Sequence, residues 1–261
     1  MKSKKSQIFL LVLLIIFFFV INYKFFDNTL ENFFEGSEMV FVERVIDGDT
    51  IVVNSSSIRL LGINSPERGE KYYEEAKNFL VKEILNKTVE LKFGKDRYDK
   101  YNRLLAYVFL GEKNVNLGLV EKGFANFYFP SGKDVYYGDF EKAWENCLNS
   151  NKNLCEKSQD VCAECIELKE FDFENEVLVF YNLCSFDCDL TGWGIKDQGR
   201  KNFIFSSFVL KPFSEGKVVV GNGRDNSTTL FWKGEDYVFT KTGDSLFLRD
   251  GEGRLVLWGD Y

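Results

Sequence analysis

The chain has 261 residues, of which 45% are hydrophobic and 28% are charged, and its formal net charge is −7. This length and composition allow one large or two small packed domains and exclude a wholly disordered chain. There is no histidine, which excludes Ser-His-Asp and Cys-His catalysis and histidine-ligated zinc. Any catalysis must use carboxylates, Arg, Lys, Tyr, Cys or a bound hard cation.

The charge is distributed unevenly along the chain. Residues 1–37 sum to +1, residues 38–157 to −1 and residues 158–261 to −7. The composition therefore offers no broadly basic region that would attract nucleic acid through counterion release. If this protein handles phosphate esters, it must do so with a few placed cations.

The N-terminus has the pattern of an export signal. Lysines at positions 2, 4 and 5 precede an apolar run from Ile8 to Ile21. The run has the length of a signal-peptide core, and the residues up to Phe26 extend it towards a membrane span. Because no small-residue cleavage pattern follows, a signal-anchor at residues 1–26 is favoured over a cleaved signal peptide. We therefore expect the later domains outside the cytoplasm, anchored to the membrane, or secreted if the segment is cleaved.

Residues 38–157 combine strand and helix patterns. The apolar pattern predicts strands at 39–46, 50–53, 57–63, 88–93 and 104–110, and helices at 72–85, 116–122 and 137–149. This order of elements is typical of a small closed barrel with helices packed against it. We predict a five-stranded OB-fold β-barrel with packed helices for this domain.

A cysteine-containing linker at 158–165 leads into a pattern of short strands and turns. Strands are predicted at 176–181, 202–205, 217–220, 229–232, 237–240, 245–249 and 254–258. Short strands at this spacing, separated by Gly and Asp turns, are typical of an all-β sandwich. The whole chain is thus predicted to be mainly β with helices, with a second domain at 166–261.

Four segments of the first domain carry polar residues in a distinctive order. They are Val45–Thr50 (Val-Ile-Asp-Gly-Asp-Thr), Ile58–Glu67 (Ile-Arg-Leu-Leu-Gly-Ile-Asn-Ser-Pro-Glu), Tyr98–Tyr107 (Tyr-Asp-Lys-Tyr-Asn-Arg-Leu-Leu-Ala-Tyr) and Val115–Ala125. An Asp-Gly-Asp turn alone is common. In this spacing and order, however, the segments resemble the staphylococcal nuclease (thermonuclease-like) family over about residues 39–157. The resemblance implies a hydrolase, an endonuclease acting on single-stranded or frayed DNA, with RNA as a further candidate substrate.

The resemblance also implies a calcium site. In the family, the positions matching Asp49 and Asn64, with a backbone carbonyl at Ser65, bind one Ca²⁺, a hard cation that takes oxygen ligands. The ion bridges to a phosphate oxygen and helps to orient or ionise a water molecule. The family usually has Asp where this chain has Asn64, so one formal charge is lost and a lower calcium affinity is expected.

The remaining site residues are assigned by the same resemblance. Arg59 and Arg103 match the pair that clamps the phosphate, a role that suits the fixed fork of a guanidinium. Glu67 matches the carboxylate that positions the attacking water or takes its proton. Lys100 and Tyr101 match residues that contact the terminal phosphate and sugar of the substrate.

The spacing sets a geometric condition on this site. Arg59 and Asn64 are separated by an odd number of residues, so strict alternation along a strand would point them to opposite faces. The strand must therefore end or bulge near Gly62 for both side chains to face one site. An alternative function is a catalytically weak or silent nuclease-like module that binds nucleic acid or protein, and Asn64 motivates it.

The second domain resembles a different family. Val177–Asn182, Asp189–Asp197 and Gly243–Gly253 (Gly-Asp-Ser-Leu-Phe-Leu-Arg-Asp-Gly-Glu-Gly) resemble a lamin-tail domain. That resemblance implies an immunoglobulin-like β-sandwich over about 166–261. The sequence of this domain contains no titratable cluster that suggests catalysis, so we expect a binding or spacing module, adhesive in the alternative function, whose partner the sequence does not identify.

The cysteines leave three alternatives. Their even number of six favours disulfides, in agreement with export. The second alternative is a zinc site of four thiolates, and free thiols are the third. The zinc ligands would be Cys147, Cys155, Cys162 and Cys165. Cys184 and Cys188 lie close enough in sequence to bridge locally, but sequence alone does not fix the pairing.

Overall fold

The structure is a computed structural model that describes residues 11–14, 17–18, 22, 37–241 and 243–260. Most of the predicted signal-anchor at residues 1–26 lies outside the described residues. Residues 11–14 and 17–18 are helical and exposed. Within the described part of the chain, helices of sufficient length and apolarity to cross a bilayer are not found.

The N-terminal region, residues 38–157, is built around one curved sheet. Its strands are β1 (Glu38–Phe41), β2 (Arg44–Val45), β3 (Thr50–Val53), β4 (Ser56–Leu60), β5 (Gly62–Asn64), β6 (Thr88–Lys92), β7 (Leu104–Leu110), β8 (Lys113–Asn114) and β9 (Asn126–Tyr128). The seven-stranded sheet has the order β1-β6-β7-β4-β3-β2, with β8 paired to β7, while β5 pairs with β9. Only the β4–β7 pair is parallel among the described strands of this region. The predicted strands are confirmed, although 39–46 and 57–63 are each divided in two and β8 and β9 were not predicted.

Three helices pack on this sheet, as the periodicity predicts. They are α1 (Tyr73–Ile84), α2 (Val115–Glu121) and α3 (Tyr137–Ser150). Helix α1 buries Ala76, Leu80 and Ile84, which recur every four residues and so share one face. Helix α3 buries Phe140, Ala143, Trp144 and Cys147 in the same way. Burial of these faces fixes α1 and α3 against the sheet that carries the candidate site.

The C-terminal region, residues 166–260, consists of strands. They are β10 (Ile166–Asp172), β11 (Val177–Asn182), β12 (Cys188–Asp189), β13 (Gly194–Asp197), β14 (Asn202–Ile204), β15 (Val209–Leu210), β16 (Glu215–Val220), β17 (Thr229–Trp232), β18 (Ser245–Arg249) and β19 (Leu255–Asp260). One four-stranded sheet has the order β10-β11-β16-β17, a second has the order β14-β13-β18-β19, and β12 pairs with β15. Apolar residues of both four-stranded sheets form one core. Strands β10, β12, β13 and β15 were not predicted.

The strand predicted at 237–240 is wrong, because these residues form no strand in the structure. The carboxylate of Glu176 accepts hydrogen bonds from the backbone N–H groups of Val238 and Phe239. These donors are thereby satisfied without a neighbouring strand. The apolar pattern at 237–240 reflects burial of Val238 and Phe239 in the core, not pairing in a sheet.

All six cysteines are paired in disulfides. The bonds join Cys147 to Cys155, Cys162 to Cys188, and Cys165 to Cys184. The favoured prediction of disulfides is confirmed, and the readings as free thiols or a zinc site are wrong, because no cysteine is free. The local bridge between Cys184 and Cys188 is also wrong. Both residues instead pair with the 162–165 segment and tie it to the C-terminal region.

The two regions share a buried aromatic contact. The Trp144 ring of α3 lies 5.4 Å from the Phe247 ring of β18 and 6.3 Å from the Trp258 ring of β19, measured between centroids. Trp144 and Phe247 are both fully buried, and Phe247 belongs to the apolar core of the N-terminal region. Arg249 adds a hydrogen bond of 2.7 Å from its guanidinium to the Leu154 carbonyl. The C-terminal region is thus packed onto the N-terminal one.

Candidate active site

Asp49 lies in the turn between β2 and β3, and this turn places it in the candidate site. The Asp47 carboxylate accepts a hydrogen bond from the Asp49 backbone N–H at 3.1 Å and so stabilises the turn. A Cβ atom at Gly48 would lie 2.6 Å from the Ala76 Cβ and 2.7 Å from the Ser65 Cβ. Only glycine permits this approach. The turn is therefore pressed against α1 and against the segment that follows β5.

The Asp49 carboxylate is buried and fully engaged. Its Oδ2 atom accepts hydrogen bonds from the Ser65 backbone N–H at 2.9 Å and from the Ser65 hydroxyl at 3.0 Å. Its Oδ1 atom accepts one from the Thr50 hydroxyl at 3.1 Å. The Arg59 guanidinium provides the countercharge, with Nη2 at 3.2 Å from Oδ2. Burial of a carboxylate requires partners of this kind.

The break predicted near Gly62 is confirmed. Strand β4 ends at Leu60 and β5 begins at Gly62, which has a φ of +74°. This left-handed conformation favours glycine, and a Cβ there would also come within 3.0 Å of the Phe140 ring. The reversal interrupts the alternation of side chains. As a result, Arg59 and Asn64 contact one another, with Nη2 at 3.2 Å from Oδ1.

The oxygens of Asp49 and Asn64 converge on one cationic nitrogen. Arg59 Nη2 lies 3.2 Å from Asp49 Oδ2 and 3.2 Å from Asn64 Oδ1. Both atoms are oxygen donors of the type that calcium takes, and in this structure the cationic group that they share is the Arg59 guanidinium. The described residues contain no cluster of three or more acidic or cysteine side chains that could hold a metal. A site here would combine one carboxylate, one amide and one carbonyl.

Arg103 is oriented by its own loop. Its Nε atom lies 2.7 Å from Asp99 Oδ2, and Asp99 Oδ1 accepts the backbone N–H groups of Tyr101 and Arg103 at 2.9 Å. Burial raises the pKa of Asp99, but the hydrogen bonds from Arg103 and Tyr101 outweigh it, so this pKa lies below its usual range. Lys100 and Arg103 both stand over the Tyr101 ring, at 5.1 and 5.6 Å from its centroid.

A cleft of about 1570 Å³ joins these groups to the C-terminal region. From the N-terminal region it is lined by Arg59, Asn64, Lys100, Tyr101 and Arg103. From the C-terminal region it is lined by Asp197, Gly199, Arg200, Lys201 and Tyr237. Asp49, Ser65 and Glu67 do not line it. Burial, followed by the charge of Asp244, raises the pKa of Asp197 to about 7.

Glu67 contacts the C-terminal region and not the other predicted site residues. Its Oε1 atom lies 2.8 Å from the Nε atom of Arg200. Sequence reasoning missed Arg200, because no motif links it to a residue so far away in the chain.

Sequence reasoning also left Asp47 without a role, although burial and the charge of Asp49 raise the pKa of Asp47 and mark it as part of the same acidic turn. The first acid of the Asp-Gly-Asp motif was the signal for that residue.

Comparisons with known proteins agree with this geometry. A family model described as "Staphylococcal nuclease homologue" matches residues 57–157. A thermonuclease from Staphylococcus intermedius is 34% identical over 130 residues, which cover 46% of this chain and 77% of that protein. The chain belongs to the staphylococcal nuclease family.

Other relatives support the same assignment. A thermonuclease from Staphylococcus hyicus is 35% identical over 125 residues, covering 43% of this chain and 73% of that protein. A Bacillus subtilis protein named Endonuclease YncB is 34% identical over 124 residues, covering 43% of this chain and 59% of that protein. The chain is therefore a nuclease, an enzyme that hydrolyses phosphodiester bonds of nucleic acid, and its family domain has the OB-fold.

Proposed function

We propose that this nuclease is a calcium-dependent endonuclease that acts outside the cytoplasm on single-stranded or frayed DNA, with RNA as a second substrate. The observation that carries the calcium dependence is the convergence of Asp49 Oδ2 and Asn64 Oδ1 on one nitrogen of Arg59, each at 3.2 Å. These oxygens are hard ligands, and the amide oxygen replaces a carboxylate without changing the type of donor atom.

In this proposal the residues around Asp49 hold the calcium ion. Asp49 and Asn64 provide side-chain oxygens, and Ser65 provides its backbone carbonyl. The Ser65 N–H and hydroxyl keep Asp49 Oδ2 in place, so the carboxylate is oriented before the metal binds. When bound, calcium supplies positive charge for a phosphate oxygen and for a nearby water molecule.

The arginines hold the phosphodiester. Arg59 exchanges its contacts with Asp49 and Asn64 for phosphate oxygens, while Arg103, oriented by Asp99 at 2.7 Å, approaches from the same cleft. Guanidinium groups stabilise the negative charge that builds on the equatorial oxygens during attack. Glu67 positions the attacking water or accepts its proton.

The cleft suits an unpaired strand. Tyr98 and Tyr101 line it and are 59% and 63% exposed, so their rings are available for base stacking. Lys100, which stands over the Tyr101 ring, provides a charge for a terminal phosphate. Stacking does not distinguish the sugar, which is why both DNA and RNA are included.

Cleavage of single-stranded DNA by the full chain tests this proposal. Activity is compared in calcium and in chelator for the wild type, Arg59→Ala and the control Arg44→Ala, whose side chain is exposed on β2. We expect cleavage in calcium alone, a loss of at least about 100-fold in Arg59→Ala, and no change in Arg44→Ala. Equal activity in chelator, or full activity in Arg59→Ala, would contradict the proposal.

A catalytically weak or silent binding module is the second candidate, and the replacement of the usual acid by Asn64 favours it. This alternative predicts that the wild type binds single-stranded DNA and forms no product at any calcium concentration. Product formation in the same cleavage assay rules it out. Binding without product would leave a nuclease fold that retains only recognition.

We further propose a domain organisation and a location. The N-terminal segment 1–26 anchors the chain in the membrane or is cleaved, residues 38–157 form the nuclease domain, 158–165 form the linker, and 166–261 form a lamin-tail-like immunoglobulin sandwich. The shared core of the two C-terminal sheets supports the sandwich. Disulfides at all six cysteines support an oxidising compartment. Fractionation of cells with and without alkaline extraction tests the anchor.

A further inference from the structure

A backbone carbonyl of the C-terminal region contacts a proposed calcium ligand. The Asn64 Nδ2 group donates a hydrogen bond of 2.6 Å to the carbonyl oxygen of Gly199, which lies in the turn between β13 and β14. Asn64 is 3% exposed, so water does not compete effectively for this bond. The turn residues Asp197–Lys201 therefore touch the centre of the candidate site.

Two ion pairs extend this contact along the segment that follows Asn64. Arg200 Nε lies 2.8 Å from Glu67 Oε1, and Lys196 Nζ donates to both carboxylate oxygens of Glu70 at 2.8 Å. Glu70 in turn accepts the backbone N–H of Glu67 at 2.8 Å. Glu67 thus contacts the C-terminal region directly, through a half-exposed ion pair, and indirectly through Glu70.

The Asp197–Lys201 turn is also hydrogen-bonded within itself and to other residues of the C-terminal region. The Asp197 carboxylate accepts the Lys201 backbone N–H at 2.8 Å. Gln198 donates its backbone N–H to the Asp244 carboxylate at 3.3 Å and its side-chain amide to the Gly243 carbonyl at 3.1 Å. These bonds restrain the turn within the C-terminal region. The active-site segment can therefore be positioned against this turn.

The chemistry of an amide explains why Asn64 fits this place. Its Oδ1 accepts from Arg59 and its Nδ2 donates to the Gly199 carbonyl. A rotated amide would point its NH₂ group at the guanidinium and its oxygen at the carbonyl, so only one orientation satisfies both neighbours. An aspartate would place a carboxylate oxygen against the Gly199 carbonyl, and neither atom can donate. The departure from the family's usual acid thus matches a contact from the C-terminal region.

We propose that the Asp197–Lys201 turn positions residues of the nuclease site and so contributes to turnover. Gly199 orients the Asn64 amide so that its oxygen faces the cation site, and Arg200 is a positioning residue for Glu67. The inference rests on the proposed calcium-dependent function. It extends that function by making turnover depend on the C-terminal region.

The first test compares Arg200→Ala and Arg200→Lys with the control Lys211→Ala in the full chain. Lys211 forms an exposed pair with Asp187 at 2.6 Å, so its loss removes an equivalent surface ion pair away from the cleft. In saturating calcium we expect kcat to fall about tenfold in Arg200→Ala, with KM changed less than about threefold, because positioning a base affects the transition state more than binding. Arg200→Lys should retain an intermediate kcat, and Lys211→Ala should match the wild type.

The second test is independent of activity and of metal. Amide hydrogen exchange is measured in chelator for the wild type, Arg200→Ala, Asn64→Asp and Lys211→Ala. We expect faster exchange at residues 65–70 in Arg200→Ala. Faster exchange at residues 198–201 is expected in Asn64→Asp, because the carboxylate repels the Gly199 carbonyl. Lys211→Ala should leave both segments unchanged.

The outcomes separate this inference from the proposed function. A higher kcat in Arg200→Ala would mean that the turn inhibits the site. A higher KM with unchanged kcat would mean that Arg200 contacts the substrate. Either result overturns the positioning role. Unchanged exchange in Arg200→Ala and Asn64→Asp overturns the cross-region contact. If the wild type itself shows no calcium-dependent cleavage, the proposed function fails, and the exchange measurements still decide whether the turn holds the segment.

Discussion

The two regions of this nuclease contrast in charge and in chemistry. The N-terminal region is nearly neutral and carries the family motifs, whereas the linker and the C-terminal region together, residues 158–261, sum to −7 and carry none of those motifs. Yet Gly199 and Arg200 of the C-terminal region contact Asn64 and Glu67, and Phe247 belongs to the apolar core of the N-terminal region. The limits of a family motif are therefore not the limits of the structural unit that surrounds the site.

Loss of the Phe247 ring should show whether the two regions are stable separately. Phe247→Ala removes a fully buried ring of the C-terminal region that packs at 5.4 Å from Trp144. We expect a loss of about 3–5 kcal/mol in the free energy of unfolding, as for other buried Phe→Ala changes. Denaturant unfolding should show one transition for both regions. A change below about 0.5 kcal/mol, similar to that expected for the exposed Phe186→Ala, would mean that the joint contributes little.

Protonation of Asp197 should make the stability of the protein depend on pH. The raised pKa of Asp197, about 7, means that the folded state retains a proton that the unfolded state loses near pH 4. The contribution of this group to the free energy of unfolding should therefore be fully present below about pH 4 and be lost as the pH rises to about 7, a decrease of roughly 4 kcal/mol in total. Asp197→Asn is uncharged throughout and should show a shallower slope. Identical pH dependence of thermal unfolding in both proteins would contradict this assignment.

A smaller effect is expected inside the N-terminal region. Gly48→Ala forces a Cβ atom to within 2.6 Å of the Ala76 Cβ, so the turn must move. We expect a stability loss of about 1–3 kcal/mol. The activity loss should exceed what unfolding explains, because the same turn carries Asp49. As a control, Gly138→Ala meets no atom within 4 Å and should leave cleavage unchanged. Normal activity in folded Gly48→Ala would separate the turn from the site.

The sequence predicted the parts of the fold that depend on local pattern. The helices α1 and α3 follow from their periodic apolar faces, and the break at Gly62 follows from the odd spacing of Arg59 and Asn64. Contacts between distant segments left no such pattern. The hydrogen bond from Asn64 to Gly199 joins residues 135 positions apart. Where a strand was predicted at 237–240, the Glu176 carboxylate instead accepts the backbone N–H groups of Val238 and Phe239. Disulfide pairing depended on the fold in the same way.

Calcium binding to the full chain shows whether Asp49 is a calcium ligand. Isothermal titration is carried out on the wild type, Asp49→Asn and the control Asp187→Asn, whose carboxylate is exposed at 50%. We expect one calcium site in the wild type, at least about tenfold weaker binding in Asp49→Asn because a charged oxygen ligand is lost, and no change in Asp187→Asn. Equal calcium affinity in the wild type and Asp49→Asn would contradict the proposed site.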